Sequence, residues 1–189
     1  MQAKTLPKFA SLCFVAVAMV LGNSMLIPVL PLLKRALDLS LLEAGLVITT
    51  FSVAAGLSIP VAGYISDKVG RKLIISIALC VYGLAGSAIG LVGAALGDAL
   101  IPILALRAVQ GVGAGGTFQI AMALTGDIFS SRERTEALGY LEAANGMGKV
   151  AAPLIGASLG LLAWFAPFFA YTLALPVAVA VWLTVEEPP

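Results

Sequence analysis

Along this chain apolar residues run on far beyond the length of an ordinary core helix, and polar residues are confined to short breaks between the runs. Six runs reach the about 20 residues needed to cross a hydrocarbon layer about 30 Å thick: 9–30, 44–65, 73–93, 100–124, 138–161 and 164–185. The pattern predicts an all-α membrane protein, a single bundle of six transmembrane helices over residues 1–189. No linker, charge run or low-complexity segment divides it. The last two runs nearly touch. A straight helix over 138–185 would be about 72 Å long, more than twice the membrane thickness, so the chain must reverse near Ala163. The first run follows Lys4 and Lys8 as the core of a signal peptide would. It is longer than the 7–15 residues of such a core, and Pro28 and Pro31 stand where a cleavage site would be expected, so it reads as a retained span.

The basic residues orient these spans. Lys4, Lys8, Lys68, Arg71, Lys72, Arg132 and Arg134 fall on one side, and only Lys34 and Arg35 on the other. The positive-inside rule puts the richer side, with both termini, in the cytoplasm. Composition agrees with a membrane protein: 60% of residues are hydrophobic and 11% charged, where soluble domains carry about 25% charged. A net charge of +1 gives no reason to expect a nucleic-acid partner. The chain has no histidine, which removes the commonest metal ligand and general base. Cys13 and Cys80, each inside a span, read as small core residues, with no disulfide framework or metal site.

Three ionisable residues fall inside predicted spans: Arg107, Glu142 and Lys149. A charge at a helix centre costs about 2.5–3.5 kcal/mol on insertion scales, so such residues face a cavity or a partner. Arg107 lies about 10 Å into the fourth span and Lys149 near the midplane, at 1.5 Å per residue. Glu142 is only four residues in from its span's end, where snorkelling can reach the interface. Glu142, Asn145 and Lys149 share one helix face. They form either the polar wall of a substrate or proton pathway or a cluster that fixes packing. Glu142, the only carboxylate within a span, is the leading proton-carrier candidate. Arg107 and Gln110 share a face of the fourth span, with Gln119 further along, and Asn23 adds polar atoms to the first; these join the candidate pathway.

Gly148, Ala152, Gly156 and Gly160 recur every four residues down the fifth span, a small-residue stripe that expects a closely packed helix. That helix could belong to this chain or to another. Pro153 sits within the stripe and removes a backbone hydrogen bond, which predicts a kink. Gly111, Gly113, Gly115 and Gly116 form a second cluster in the fourth span. Because it lies inside a membrane span and follows no strand, it is not a nucleotide loop. With no nucleophile–base pair, metal cluster or phosphate loop, an enzyme is not expected, and no cofactor or metal is implied.

Four patterns then point to one family. Gly63-Tyr64-Ile65-Ser66-Asp67-Lys68-Val69-Gly70-Arg71-Lys72 resembles the loop motif G-x-x-x-D-[RK]-x-G-R-[RK] of the major facilitator superfamily, between its second and third spans. Arg107 to Ala114 is similar to the fourth-span motif R-x-x-Q-G-x-G-A. Leu21-Gly22 with Pro28-Val29-Leu30-Pro31 resembles the first-span motif L-G-x-x-x-x-x-P-V-x-P of the superfamily's drug:proton antiporters. Gly148 to Ala157 resembles their fifth-span motif G-x-x-x-G-P-x-x-G-G, with Ala152 and Ala157 replacing two glycines.

The resemblance implies the amino-terminal six-span half of a twelve-span transporter, each half a 3+3 inverted repeat. Residues of the two three-span halves show no convincing match, although hydropathy allows the repeat. It also implies roles. Asp67 would meet a helix end of the other bundle and hold the cytoplasmic side closed, and Arg71 would pair with Asp127. Without the family, Asp67 and Arg71 are a local i, i+4 pair contributing about 0.2–0.5 kcal/mol. Gly63 and Gly70 would permit close packing and turning, with Lys72 completing the gate. Arg107 would take part in proton coupling, and the fifth-span stripe would line the contact between bundles. The implied function is proton-coupled export of small amphiphilic compounds or drugs across the cell membrane, for a bacterial chain the cytoplasmic one. The implied partners are the lipid bilayer, a small-molecule substrate, protons and a second six-span bundle, whether a separate chain, a homodimer mate or the other half. Lys149 disfavours a cationic substrate beside it, so a neutral, zwitterionic or anionic amphiphile is expected at least as readily. The alternatives are a solute importer of the same fold and a non-transporting half that acts as an assembly subunit.

Overall fold

The computed structural model describes residues 6–96, 100–129 and 131–187, without the side chains of Leu6, Ser131 and Arg132. Lys4, one of the residues used for orientation, lies outside the described residues, as does the side chain of Arg132. All regular structure among the described residues is helical. The first span is α1 (Leu6–Ser24), a 3-10 turn at Ile27–Val29 and α2 (Leu30–Ala36). The second is α3 (Leu41–Val69) and the third α4 (Arg71–Ala95). The fourth is α5 (Leu100–Ala114) with α6 (Thr117–Ile128), and the fifth α7 (Ser131–Gly160). The sixth joins α8 (Ala166–Phe169), a 3-10 turn at Ala170–Leu173 and α9 (Ala174–Thr184).

The structure corrects several expected boundaries. The first span continues to Ala36, bent where Pro28 and Pro31 enter short helical segments. The fourth is not one helix over 100–124. It breaks at Gly115–Gly116, where Gly116 adopts φ +78°, and then runs on to Ile128. Between the second and third spans the expected loop shrinks to Gly70 alone, whose φ of +105° turns the chain. Asp67 and Lys68 therefore sit on the last turn of α3. The chain reverses after Gly160, as the length argument requires. Among the described residues five segments are long and apolar enough to cross a membrane; α7, at 30 residues, is long enough but carries too many polar residues to qualify by composition. It also runs unbroken through Pro153.

Local chemistry sets these ends. Ser40 and Glu43 form a capping box at the start of α3: Ser40 Oγ accepts from the Glu43 amide at 3.2 Å, and Glu43 Oε2 accepts from the Ser40 amide at 2.8 Å. Hydroxyl pairs tie the sixth span to its neighbours, Ser11 with Thr184 at 2.8 Å and Ser87 with Thr172 at 2.7 Å. Such bonds hold helices together where lipid supplies no hydrophobic drive.

The helix pairings repeat under an exchange of halves. The second span packs on the fourth (α3 on α5), and the fifth on the first (α7 on α1). The third packs on the fourth (α4 on α5), and the sixth on the first (α9 on α1), while third and sixth pack on each other (α4 on α9). Swapping spans one, two and three for four, five and six returns the same set. Each half also opens with a broken helix. The 3+3 repeat absent from the residues is thus present in the packing.

Candidate functional site

The core of the bundle holds a cation. Arg107 on α5 is fully buried. Its guanidinium donates to the Val47 carbonyl at 2.8 Å, the Gly22 carbonyl at 3.2 Å, Gln110 Oε1 at 2.8 Å and Asn23 Oδ1. The Phe51 ring covers it, 4.3 Å from centroid to guanidinium carbon. Among the described residues no carboxylate is its partner. What compensates the charge is the end of α1. Because that helix stops at Ser24, the Leu26 amide turns to the Asn23 carbonyl, and the Gly22 carbonyl is left without its helical donor. Arg107 and the Tyr171 hydroxyl, at 2.8 Å, supply donors instead. A helix C-terminus carries partial negative charge, so a buried cation is stabilised there. Tyr82 donates to the Ala18 carbonyl at 3.0 Å and stacks edge-on against Tyr171, completing the polar core.

Of the residues of the expected pathway, Arg107 and Gln110 are fully buried and face the inside of this bundle. Gln110 Nε2 is a buried amide left without a partner, its orientation set by the Arg107 bond to Oε1. Only Asn23, half-buried, leads outward, donating to Ser52 Oγ at 2.8 Å. Gln119 is separated from Arg107 by the break at Gly116. It lines a recess of about 210 Å³ with Gly63, Asp67 and Arg71.

On α7, Asn145 is buried and donates to Glu142 Oε2 at 3.1 Å, while Glu142 and Lys149 are exposed. Because α7 begins at Ser131, Glu142 lies eleven residues along it, about 16 Å at 1.5 Å per residue. Gly148, beside Lys149, rests on Val17 and Val20 near the middle of the first span. Lys149 meets no acid among the described residues.

The small-residue stripe of α7 is covered from within the chain, so it does not line a contact between bundles. Gly148, Ala152, Gly156 and Gly160 are all buried. A Cβ on Gly156 would come within 1.9 Å of the Met25 carbonyl oxygen, and one on Gly160 within 3.2 Å of Leu32. Backbone contact of this kind needs glycine. The glycines of the fourth span are spent in the same way, Gly111 against Phe51 and Gly113 against Tyr82.

At the end of the bundle where the second and fourth spans finish, Arg71 bridges Asp67 Oδ1 at 3.2 Å and Asp127 Oδ2. Glu187 joins them. Its oxygens accept from the Arg71 amide at 2.6 Å and the Lys72 amide at 2.8 Å, a carboxylate seated on the N-terminus of α4. These groups and Arg134 surround a cavity of about 700 Å³. Next to it, the hydrogen bond from Lys8 holds the Glu186 carboxyl below the usual carboxylate range. Gly63 has open space around it, so it is not needed for packing inside this bundle. The Lys72 ammonium lies over Trp182, 4.9 Å from the ring centroid, away from the Asp67–Arg71–Asp127 ion pairs. The sequence offered a signal for Glu187, two acids directly after an apolar run, and for Tyr82 and Tyr171, whose hydroxyls within spans must find acceptors. Glu187→Ala is expected to destabilise the bundle by about 0.5–2 kcal/mol, the cost of a lost cap. Glu187→Gln is expected to cost less. Thermal melting in detergent reads both, and a melting temperature unchanged in the alanine variant would remove the capping role.

Long apolar helices, paired as two interchangeable triplets around a sealed polar core, define a multi-pass membrane bundle of transporter type. The Major Facilitator Superfamily model matches residues 12–189, and the chain belongs to this family of transporters, not to the enzymes. The chain is 41% identical over 160 residues to the bacillibactin exporter of Bacillus subtilis, an alignment covering 84% of this chain and 40% of that protein. It is 31% identical to multidrug resistance protein 1 of the same organism, over 89% of this chain and 42% of that one. Among solved structures, a bacterial homologue of the human lysosomal transporter Spinster, inward-facing and unoccupied, superposes with a TM-score of 0.86 at 21% identity. That match covers all of this chain and 44% of the other, and shows the fold. The chain thus spans about two fifths of the length of the curated relatives it matches.

Proposed function

We propose that this chain is the amino-terminal bundle of a proton-coupled exporter of small amphiphilic compounds. It would work by alternating access against a second six-span bundle, with both its termini in the cytoplasm. The observation that carries the reading is the exposed polar face of α7. Glu142 and Lys149 are ionisable, fall within the fifth span expected from the sequence and are uncovered by their own bundle. Charges so placed belong to a wet cavity or a partner, and a second bundle across that face supplies both. The exporter relatives in Bacillus subtilis support the outward direction. The Asp67–Arg71–Asp127 bridge supports a gate that opens and closes by rearranging ion pairs. The positive face beside Lys149 favours a neutral, zwitterionic or anionic substrate, and bacillibactin is one compound to assay.

Glu142 is the proposed proton carrier, with Asn145 holding its carboxylate in place. In the intact transporter, Glu142→Gln is expected to flatten the dependence of efflux on pH while the protein still inserts and folds. A pH profile that keeps its wild-type shape in this variant would exclude the role.

A further inference from the structure

An apolar trough of about 550 Å³ runs down the outside of the bundle between α3 and α4, with α5 as its floor. Leu57, Val61 and Ile65 form one wall, and Ile74, Ile77 and Val81 the other. Ser58 is its only hydroxyl, and it donates to its own helix, to the Ala54 carbonyl at 2.7 Å, so the trough is dry.

Its lining decides what fits. From Ala54 to Ile65 the trough runs about 16 Å along α3. The small residues that could admit a further helix are already used, Gly111 against Phe51 and Ala54, Gly115 against Ser58 and Ala55. What remains is an open apolar groove with no small-residue stripe left for a further helix to pack on, and an acyl chain needs none.

A cation stands at its mouth. Lys68 follows Val61 by seven residues and Ile65 by three, which puts it on the trough's face of α3. Its ammonium lies 4.3 Å from the centroid of the Tyr64 ring, itself exposed. It meets no carboxylate among the described residues, since its neighbour Asp67 is held by Arg71. A tyrosine and a lysine at the end of an apolar trough match the layers of a phospholipid, ring at the headgroup level and ammonium at the phosphate. We propose that the trough holds one acyl chain of an anionic membrane phospholipid, whose phosphate pairs with Lys68 beside Tyr64. The inference is independent of the direction of transport and of proton coupling.

Native mass spectrometry of the full assembly, stripped of lipid in detergent and offered dioleoyl phosphatidylglycerol or dioleoyl phosphatidylcholine, tests it. The wild type should retain the anionic lipid about fivefold more than the zwitterionic one, the preference expected of one basic residue at a lipid surface. Lys68→Gln should abolish that preference, while Lys34→Gln, at the other end of the first span, should leave it intact. Val61→Trp and Leu57→Trp fill the trough from exposed positions and should lower retention of both lipids. Equal retention of the two lipids by the wild type, or undiminished retention in both tryptophan variants, would overturn the proposal. So would efficient cross-linking of Val61→Cys to a helix of the second bundle.

Discussion

Adding one methyl group at Gly156 is expected to cost more stability than removing most whole side chains from this bundle. The Cβ of Gly156→Ala would sit 1.9 Å from the Met25 carbonyl oxygen and 2.8 Å from its carbon. Both are backbone atoms, so no rotamer change relieves the clash, and α7 must move off the first span. Overpacking of this kind costs about 1–3 kcal/mol and occasionally more, and the upper end is expected here. Gly148→Ala is the control. Its added carbon would meet Val17 and Val20 at 3.5–3.6 Å, ordinary contact distance. Alanine is the better helix former by about 1 kcal/mol, so that variant should melt at or above the wild-type temperature. Thermal melting followed by size exclusion in detergent reads both, and equal behaviour of the two would show that the α7 contact is looser than the structure has it.

Arg107→Lys is expected to be nearly as damaging, although it keeps the charge. Four acceptors surround the guanidinium, and a planar fork of five donors reaches them at once. An ammonium with three donors cannot, and each buried acceptor left unmet costs about 1–3 kcal/mol. Contact with the Phe51 ring is lost as well. A loss of about 2 kcal/mol or more, and of about tenfold or more in transport, is expected. The damage would arise through the first span, whose broken end Arg107 and Tyr171 hold together. A lysine variant with wild-type melting and transport would mean that the fork is not needed, and the role given to the helix end would fall.

What could be read in advance follows from how local the cause is. Five of the spans were legible because burial in lipid demands long apolar runs, whatever lies beside them, whereas the run in α7 is too polar to qualify by composition. Asp67 and Arg71 were legible as a pair because four residues of one chain set the spacing. The break at Gly116 was hidden: four glycines near one another allow a left-handed residue without saying which one adopts it, and contact with α3 decides. For the stripe of α7, a row of small residues announces a neighbour and does not name it. Only packing shows Met25 and Val29 in that place. Gln119 shares a span with Arg107 in the sequence, and the break carries it to Asp67 and Arg71. Glu187 was furthest from reach, since its partners, the amides of Arg71 and Lys72, lie more than a hundred positions away.

The central claim, that this bundle belongs to a transporter that exchanges protons for an exported compound, has a direct test in the sign of coupling. In proteoliposomes holding the intact assembly, substrate and proton fluxes would be followed together across an imposed pH gradient. The account predicts opposed fluxes, with substrate accumulating on the acidic side and the accumulation collapsing when a protonophore removes the gradient. Substrate and protons moving together would identify an importer, and no coupled flux at all would leave an assembly subunit; either result would contradict the account.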